Sequence, residues 1–571
     1  MNSPRAPEKT RAISERPFFV LFVLFAFSLL IAMPLLSLGY GITWDEWMQG
    51  HYGKLILRFM LTGGANHDFM EFAETTYLYQ GLFDTLTTGF YSLFSGNPFK
   101  TIFSGLFETI QMHSKQDVFS SGFYEIRHIF NSLFGLLAML FAGLYAKRLG
   151  SWRTALIALG LITFSPRFFA DSMNNPKDIP FAAGYMLALY LIAGFIDELP
   201  KPRWRTAIAL AVGIAMALGV RVLGLILFFY LLLFSSIKLG VLIKNRISPI
   251  PYRKIAGMFF LACVAGYFLG LLCWPYALLN PFKNPFLAFS QFSNFTGAAS
   301  PVLFQGRLLM NTSLPWYYLP FWILISAPIA VLLGLLFSIP SILNFRRMNW
   351  GLALLLVAFW VPFLGVIFKK PILYDSWRHF FFLYPPLIVL SAWGWDRLIT
   401  QASRFRAQGA AGVILVLLCL PVVFWMIRNH PLQTVYFNPL VGGPKGALGK
   451  FQMDYWGTSI RQASEWLGDY LIKKDPNRLY LIRADGNLMS SFPFLAQKLD
   501  RRYIPYEQVP RTLRPLQPPH YEIVLPKRTP YEAYQEGQWP PPHTIYEVKV
   551  DGNVPLCAVV EVPSKRQAQS T

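Results

Sequence analysis

Two adjacent carboxylates, Asp45 and Glu46, follow directly on the end of a long apolar run, within the stretch Thr43-Trp44-Asp45-Glu46-Trp47. An acid pair at the mouth of a membrane helix is wet enough to ionise and close enough to lipid to meet a lipid-borne substrate. It therefore suits proton transfer or cation binding. Acidic residues also end membrane helices with no chemistry attached, so the pair gains meaning only from partners.

Several segments supply partners. Asp171, Lys177 and Asp178 fall within Ser165 to Pro180, a polar stretch broken by Pro166, Pro176 and Pro180. Arg378 and His379 close the segment Lys369 to His379, and Arg221 stands in a tight turn between two apolar runs. Lys54, Arg58, Arg127 and His128 lie in or just after the long segment that follows Glu46. Displacement at a sugar phosphate needs a base for the acceptor hydroxyl, cations for the leaving phosphate and a route for an isoprenoid tail. Asp45 offers the base, with Glu46 raising its proton affinity by like-charge repulsion and Asp178 completing the catalytic carboxylates. Arg378 is the expected principal phosphate partner, with Lys177, Arg221 and Arg127 next, because guanidinium and ammonium groups bind such oxygens. Lys54, Arg58, His128, Asp171 and His379 complete the expected substrate-binding set. Metal dependence is left open, and with it a divalent cation.

The elements that must position these groups are membrane helices. The chain has 571 residues, 54% hydrophobic and 14% charged, against roughly 25% charged in soluble domains. The net charge of +21 sits in short basic clusters between apolar runs, which sets membrane orientation and argues against nucleic acid as a partner. Cys263, Cys273, Cys419 and Cys557 form no CxxC pair, zinc cluster or disulfide framework. The first apolar run is flanked by Arg5, Lys9, Arg11 and Arg16 and has no cleavage site, so it reads as a retained anchor.

Apolar runs begin near Phe18, Phe130, Ala155, Phe181, Ala207, Leu223, Ile255, Tyr317, Trp350, Phe380 and Ala411, which predicts about eleven spans. Those near Ala155 and Ala207 are shorter than the roughly 17 residues of a simple span, which predicts broken or tilted helices. An odd number puts the two ends on opposite sides. Basic residues at the N-terminus, Lys147 to Arg153, Lys201 to Arg205, Lys238 to Lys254, Arg346/Arg347 and Arg397 to Arg406 mark one side as cytoplasmic. Asp45 then faces away from the cytoplasm.

The first outer loop, Gly41 to Ile126, is too long for a simple connection. Trp44, Trp47, Tyr52, Leu55, Ile56, Phe59 and Met60 recur at helical spacing and predict a helix lying in the membrane interface. Tyr77 to Asp84 and Phe103 to Met112 read as similar pieces. From Arg428 the composition turns polar, and an outer α/β domain of about 140 residues is expected. It should hold a helix over Ser459 to Leu471, a strand over Leu479 to Ile482 and a hairpin over Thr544 to Val562 that turns at Asp551-Gly552. Gly442-Gly443 with Gly446 and Gly449 is no dinucleotide fingerprint, because neither a preceding strand nor a helix opening on it is expected. The expected domains are thus a cytoplasmic N-terminus (1–17), a membrane catalytic module (18–427) and an outer domain (428–571).

The acid pair after the first span, the long helical first loop, the second acidic loop and the arginine entering a late span together resemble the GT-C membrane glycosyltransferases. The likeness is greatest to glycosyltransferase family 39, the protein O-mannosyltransferase and aminoarabinose-transferase group. Its motifs here are Thr43-Trp44-Asp45-Glu46, Asn174 to Phe181 and Arg378-His379-Phe380, and Tyr436 to Gly443 and Asp454 to Gly457 resemble the tail of bacterial members. The resemblance implies a polytopic helical GT-C fold that transfers a hexose or pentose from a polyprenyl-phosphate carrier, with inversion and a first-loop aspartate as base. The implied acceptor is a glycan, lipid or protein. The implied setting is a bacterial inner membrane, with membrane lipid as a further partner and the site facing the periplasm or exterior. The chain lacks a recognisable lumenal sugar-binding insert. A transporter or lipid flippase is the rival reading, but transporters carry paired repeats with midplane sites, whereas these acids gather at one surface. A scaffold with a partner-binding tail leaves the acidic loops unexplained.

Overall fold

A computed structural model describes residues 15–94 and 121–563, apart from 74, 294–298, 345–347, 374, 487, 510–513, 515–517, 527–532 and 535. The basic residues before Arg16, the helical piece expected at Phe103 to Met112, and Arg346/Arg347 lie outside the described residues.

The chain is a polytopic helical membrane protein. Its first span is α1 (Glu15–Ser37), followed in the loop by α2 (Glu46–Leu61) and α3 (Leu82–Phe94). Then come α4 (Ser121–Leu149), α5 (Trp152–Thr163), α6 (Pro166–Asn174), α7 (Asp178–Glu198), α8 (Trp204–Leu218), α9 (Ile226–Lys244) and α10 (Tyr252–Leu271). A small hairpin, β1 (Pro301–Phe304) with β2 (Arg307–Met310), precedes α11 (Tyr318–Ser326), α12 (Ile329–Ile342), α13 (Trp350–Lys369), α14 (Tyr384–Ala402) and α15 (Gln408–Arg428).

Each of the eleven apolar runs becomes helix, but the count of spans differs. Among the described residues seven helices are long and apolar enough to cross a membrane, or nine if each of two bent pairs is one span. The run near Ala155 breaks between α5 and α6, which are bent by 71° where Ser165-Pro166 restarts the helix. The run near Tyr317 breaks by 116° between α11 and α12 at Ala327-Pro328, which the expected single span did not foresee. Helix α8 is only 15 residues long. Helix α14 is entered through a 3-10 turn (Arg378–Leu383) and is buried along most of its length, so its apolar residues pack against protein rather than lipid.

The core lies where α4, α7 and α14 are enclosed by the others. Close helix contact depends on small residues: a Cβ at Gly394 of α14 would sit 2.0 Å from the Gly334 carbonyl oxygen of α12. Helix α2 is not an interfacial helix with a wet polar face, because Glu46, Gln49, His51 and Lys54 are buried together with Tyr52, Ile56 and Phe59. Tyr77 to Asp84 is not one helix either: a 3-10 turn (Thr76–Leu78) is separated from α3 at Tyr79 to Gly81.

After α15 the tail folds as an α/β unit. Helix α16 (Ser459–Lys474) turns Ile460, Ala463, Leu467 and Leu471 onto a sheet of order β4-β3-β5-β7-β6. The strands are β3 (Tyr480–Ala484), β4 (Tyr503–Pro505), β5 (Tyr521–Val524), β6 (Thr544–Val550) and β7 (Val554–Glu561), with α17 (Leu488–Leu499) between β3 and β4. Strand β3 is parallel to β4 and β5, whereas β7 runs antiparallel to β5 and β6. The late hairpin turns at Asp551 and Gly552, both at positive φ. At Gly442-Gly443 a five-residue helix (Gly443–Ala447) does open, preceded by a 3-10 turn rather than a strand.

Candidate functional site

Asp45 and Glu46 are neighbours with different fates. Asp45 stands at the cap position of α2, half-buried, and its carboxylate makes no cap hydrogen bond. Glu46 is fully buried, where it accepts from the Thr43 amide (2.7 Å) and approaches His128 Nε2 at 3.1 Å and Arg127 Nε at 4.0 Å. The carboxylate expected to act on Asp45 is thus engaged by Arg127 and His128 of α4.

Arg127 is equally committed. It donates to Asp84 (2.9 Å), Gln49 (3.1 Å) and Thr87 (3.1 Å) with no exposed surface, so the guanidinium expected to bind phosphate is taken up by contacts within the protein. They tie α4 to the first loop. Arg58 lies about 18 Å along α2 from Glu46, at 1.5 Å per residue, and pairs with Asp68 at 2.7 Å on the surface. Lys54 is buried on α2. Of these four basic groups, Arg127 and His128 are bound to Glu46 beside Asp45, and Arg58 stands apart at the far end of α2.

A second set does converge. Asp178, the first residue of α7, is clasped by Arg221 and by Arg378 Nη1 (3.1 Å). The Nε of Arg378 reaches Asp375 at 3.1 Å, in a segment where Asp375 and Ser376 both adopt positive φ. Asn175 donates through Nδ2 to Asp171 (2.8 Å) and Asp178 (2.9 Å), and its Oδ1 accepts from the Asp178 amide (3.1 Å). Asp171 also accepts from the Trp456 indole (3.2 Å). Asp178 and Asp171 are therefore held in place by hydrogen bonds, with Asp178 joining two guanidinium groups and Asp171 joining α6 to the tail. Sequence reasoning passed over Asn175, Asp375 and Trp456. The signals for the first two were there: Asn175 stands between two carboxylates at helical spacing, and Asp375 lies three residues before Arg378.

An open groove of about 1070 Å³, counting its mouth, lies beside this array. Its wall is apolar and aromatic (Tyr79, Leu223, Phe289, Phe292, Ile372, Phe380), while Arg221 and His379 supply polar groups. Arg221 is partly exposed there; Arg378 is almost fully buried behind Asp178. Lys177 packs its ammonium 3.8 Å from the centre of the Tyr79 ring. Burial pushes Lys177 below the ordinary lysine range, opposed by the charges of Asp84, Asp45 and Asp178 and reinforced by Arg221. Burial, with the adjacent Arg378 guanidinium, also holds His379 well below the ordinary histidine range. Among the described residues no group of three His, Cys, Asp or Glu side chains is arranged to hold a metal ion.

Residues 117–268 match the family described as dolichyl-phosphate-mannose-protein mannosyltransferase. None of the curated proteins matches the chain. Among solved structures, it is similar to ArnT from Cupriavidus metallidurans bound to undecaprenyl phosphate, at 14% identity and a TM-score of 0.47, covering 96% of this chain and 100% of that one. It is also similar to the Archaeoglobus fulgidus oligosaccharyltransferase AglB in complex with an inhibitory peptide and a dolichol-phosphate, at 13% identity and a TM-score of 0.45, covering 88% and 69%. For the S. cerevisiae Pmt1-Pmt2 complex bound to its sugar donor the values are 15% and 0.34, covering 52% and 39%. With a matching segment from the end of the first loop into α10, this helical membrane protein resembles the GT-C glycosyltransferases of family 39.

Proposed function

We propose that the protein transfers a sugar from a polyprenyl-phosphate carrier to an acceptor hydroxyl on the non-cytoplasmic face of the membrane. One observation carries this reading: an apolar groove is lined by Arg221 and by Tyr79, on whose ring Lys177 packs, and Lys177 in turn feels the charge of Asp45, a carboxylate that makes no cap hydrogen bond. A long isoprenoid suits the groove wall, and its phosphate suits the cations at the end. The acceptor oxygen attacks the anomeric carbon as the bond from that carbon to the phosphate oxygen breaks. Asp45 takes the hydroxyl proton, and the electron pair leaves with polyprenyl phosphate. Direct displacement inverts the anomeric centre. The leaving phosphate gains charge along this path, so cations fixed beforehand by Asp178 stabilise the transition state more than the ground state. Arg221 faces the lipid phosphate in this reading, and Arg378 sets the array from behind.

The test is consumption of a lipid-linked sugar by the purified protein in lipid, with and without chelator, for the wild type, Asp45→Asn and Arg221→Gln. Asp45→Asn keeps the shape and removes the base. It should lower kcat about a hundredfold or more with donor binding retained. Arg221→Gln should weaken donor binding and turnover together. Normal turnover in Asp45→Asn would remove Asp45 from the chemistry.

A further inference from the structure

The tail loop Asp454-Tyr455-Trp456-Gly457 supplies neither proton nor charge to the proposed reaction, yet it is built tightly against the array. Asp454, at positive φ, accepts from the Thr458 amide (2.8 Å), the Ser459 amide (3.0 Å) and the Ser459 hydroxyl, which anchors the loop to the first turn of α16. Gly457 is at φ +68°, and a Cβ there would stand 2.9 Å from Ile460. The Trp44 indole, next to Asp45, donates to the Tyr455 carbonyl.

The loop's reach into the membrane module is closed on itself. The Trp456 indole N–H donates to Asp171, Asn175 links Asp171 to Asp178, Asp178 holds Arg378, and the Arg378 guanidinium carbon lies 4.5 Å from the centre of the Trp456 ring. Tyr455 adds a second ring at 5.2 Å. Trp456 is 4% exposed, so its face meets Arg378 largely away from water, where an attraction between guanidinium and ring is strongest. A guanidinium held at Nη1 by Asp178 and at Nε by Asp375, with an indole on its face, has little freedom to turn. The Arg221 clasp on the opposite edge of Asp178 inherits that order.

From this ring of contacts we infer that Trp456 is a positioning residue of the phosphate site. The tail fixes Arg378, and through Asp178 Arg221, while the same loop holds the segment that carries Asp45. The inference rests on the proposed reading, in which Arg221 faces the phosphate and Arg378 sets the array behind it. A tail severed from this contact leaves the cations present but misaligned.

The experiment measures binding of a synthetic polyprenyl monophosphate to the full-length protein in lipid nanodiscs, for Trp456→Phe, Trp456→Leu, Arg378→Gln and the double variant Trp456→Leu/Arg378→Gln, with thermal unfolding followed in parallel. Trp456→Phe keeps a ring face over Arg378 and should bind within about threefold of wild type, whereas Trp456→Leu should lose about tenfold. In the Arg378→Gln background, Trp456→Leu should add almost nothing, because both changes act through one group. A Trp456→Leu variant that binds like wild type, or a loss that adds fully to that of Arg378→Gln, overturns the inference and leaves the phosphate assignment standing. Binding indifferent to Arg378→Gln overturns both. Trp456→Phe guards against misfolding: if it melts like wild type yet binds as poorly as Trp456→Leu, the ring face is not what matters and the inference falls.

Discussion

At the scale of single residues the molecule separates groups of one chemical type by what surrounds them. Lys177 shows this most directly, since burial lowers its proton affinity while carboxylates around it pull the other way. Its ammonium must be protonated to attract a phosphate. Donor affinity should therefore be intact at low pH and fall as pH rises through a range below that of an ordinary lysine. Lys177→Arg stays charged throughout and should flatten that alkaline limb in a profile of donor KM against pH. Arg127 is the contrasting case, a cation consumed by structure. Arg127→Leu strands Asp84 and Glu46 without their shared partner and should cost about 3–5 kcal/mol, seen as a large drop in Tm. Both arginines and lysines stood out in the sequence as cations near acids. Their division into structural and groove-facing groups depends on which carboxylate lies within 3 Å, and that is fixed by contacts such as Arg127 to Asp84, made across 43 residues of chain.

At the scale of elements, helix ends rather than helix middles decide the architecture. The break after α5 was legible because Ser165-Pro166 follows a run too short to span. The break after α11 was not, since Ala327-Pro328 is embedded in continuous apolar sequence and the carbonyls freed there are satisfied from far away. Asn438, in the tail, donates to the Leu324 (2.6 Å) and Ala327 (2.8 Å) carbonyls and accepts from the Leu440 amide (3.0 Å). Its own amide N–H bonds the Ile325 carbonyl at 2.9 Å. Asn438→Ala should therefore destabilise the protein by about 1–3 kcal/mol for each acceptor left buried without a donor, measurable by denaturant unfolding. The α16 stripe and the β6-β7 hairpin were readable from 3.6-residue periodicity and from Asp551-Gly552. Helix α17 and strands β4 and β5 were not, because β4 and β5 are only 3 and 4 residues long and each lies parallel to β3, with no tight hairpin turn to mark it.

At the scale of the whole molecule the tail and the membrane module are stitched at several points. Asp551 receives the Trp425 indole (3.1 Å) and the Asn429 amide (3.2 Å) at the end of α15, and Arg461 donates to the carbonyls of Leu38 and Tyr40 just after α1. Contacts this direct require the tail and the first loop to share a side of the membrane. Single cysteines at Gly64 and Gly537 should thus react with a membrane-impermeant maleimide from the same side, and one at Arg404 from the opposite side. Labelling of all three from one side would overturn that topology. The Trp44 to Tyr455 contact also joins the ends of the chain in time. Asp45 is synthesised about four hundred residues before Trp456, roughly 20–80 s earlier at ordinary elongation rates. The first loop is thus made well before its partner in the tail, and under the proposed reading the nascent protein gains its full activity only once that last domain has folded.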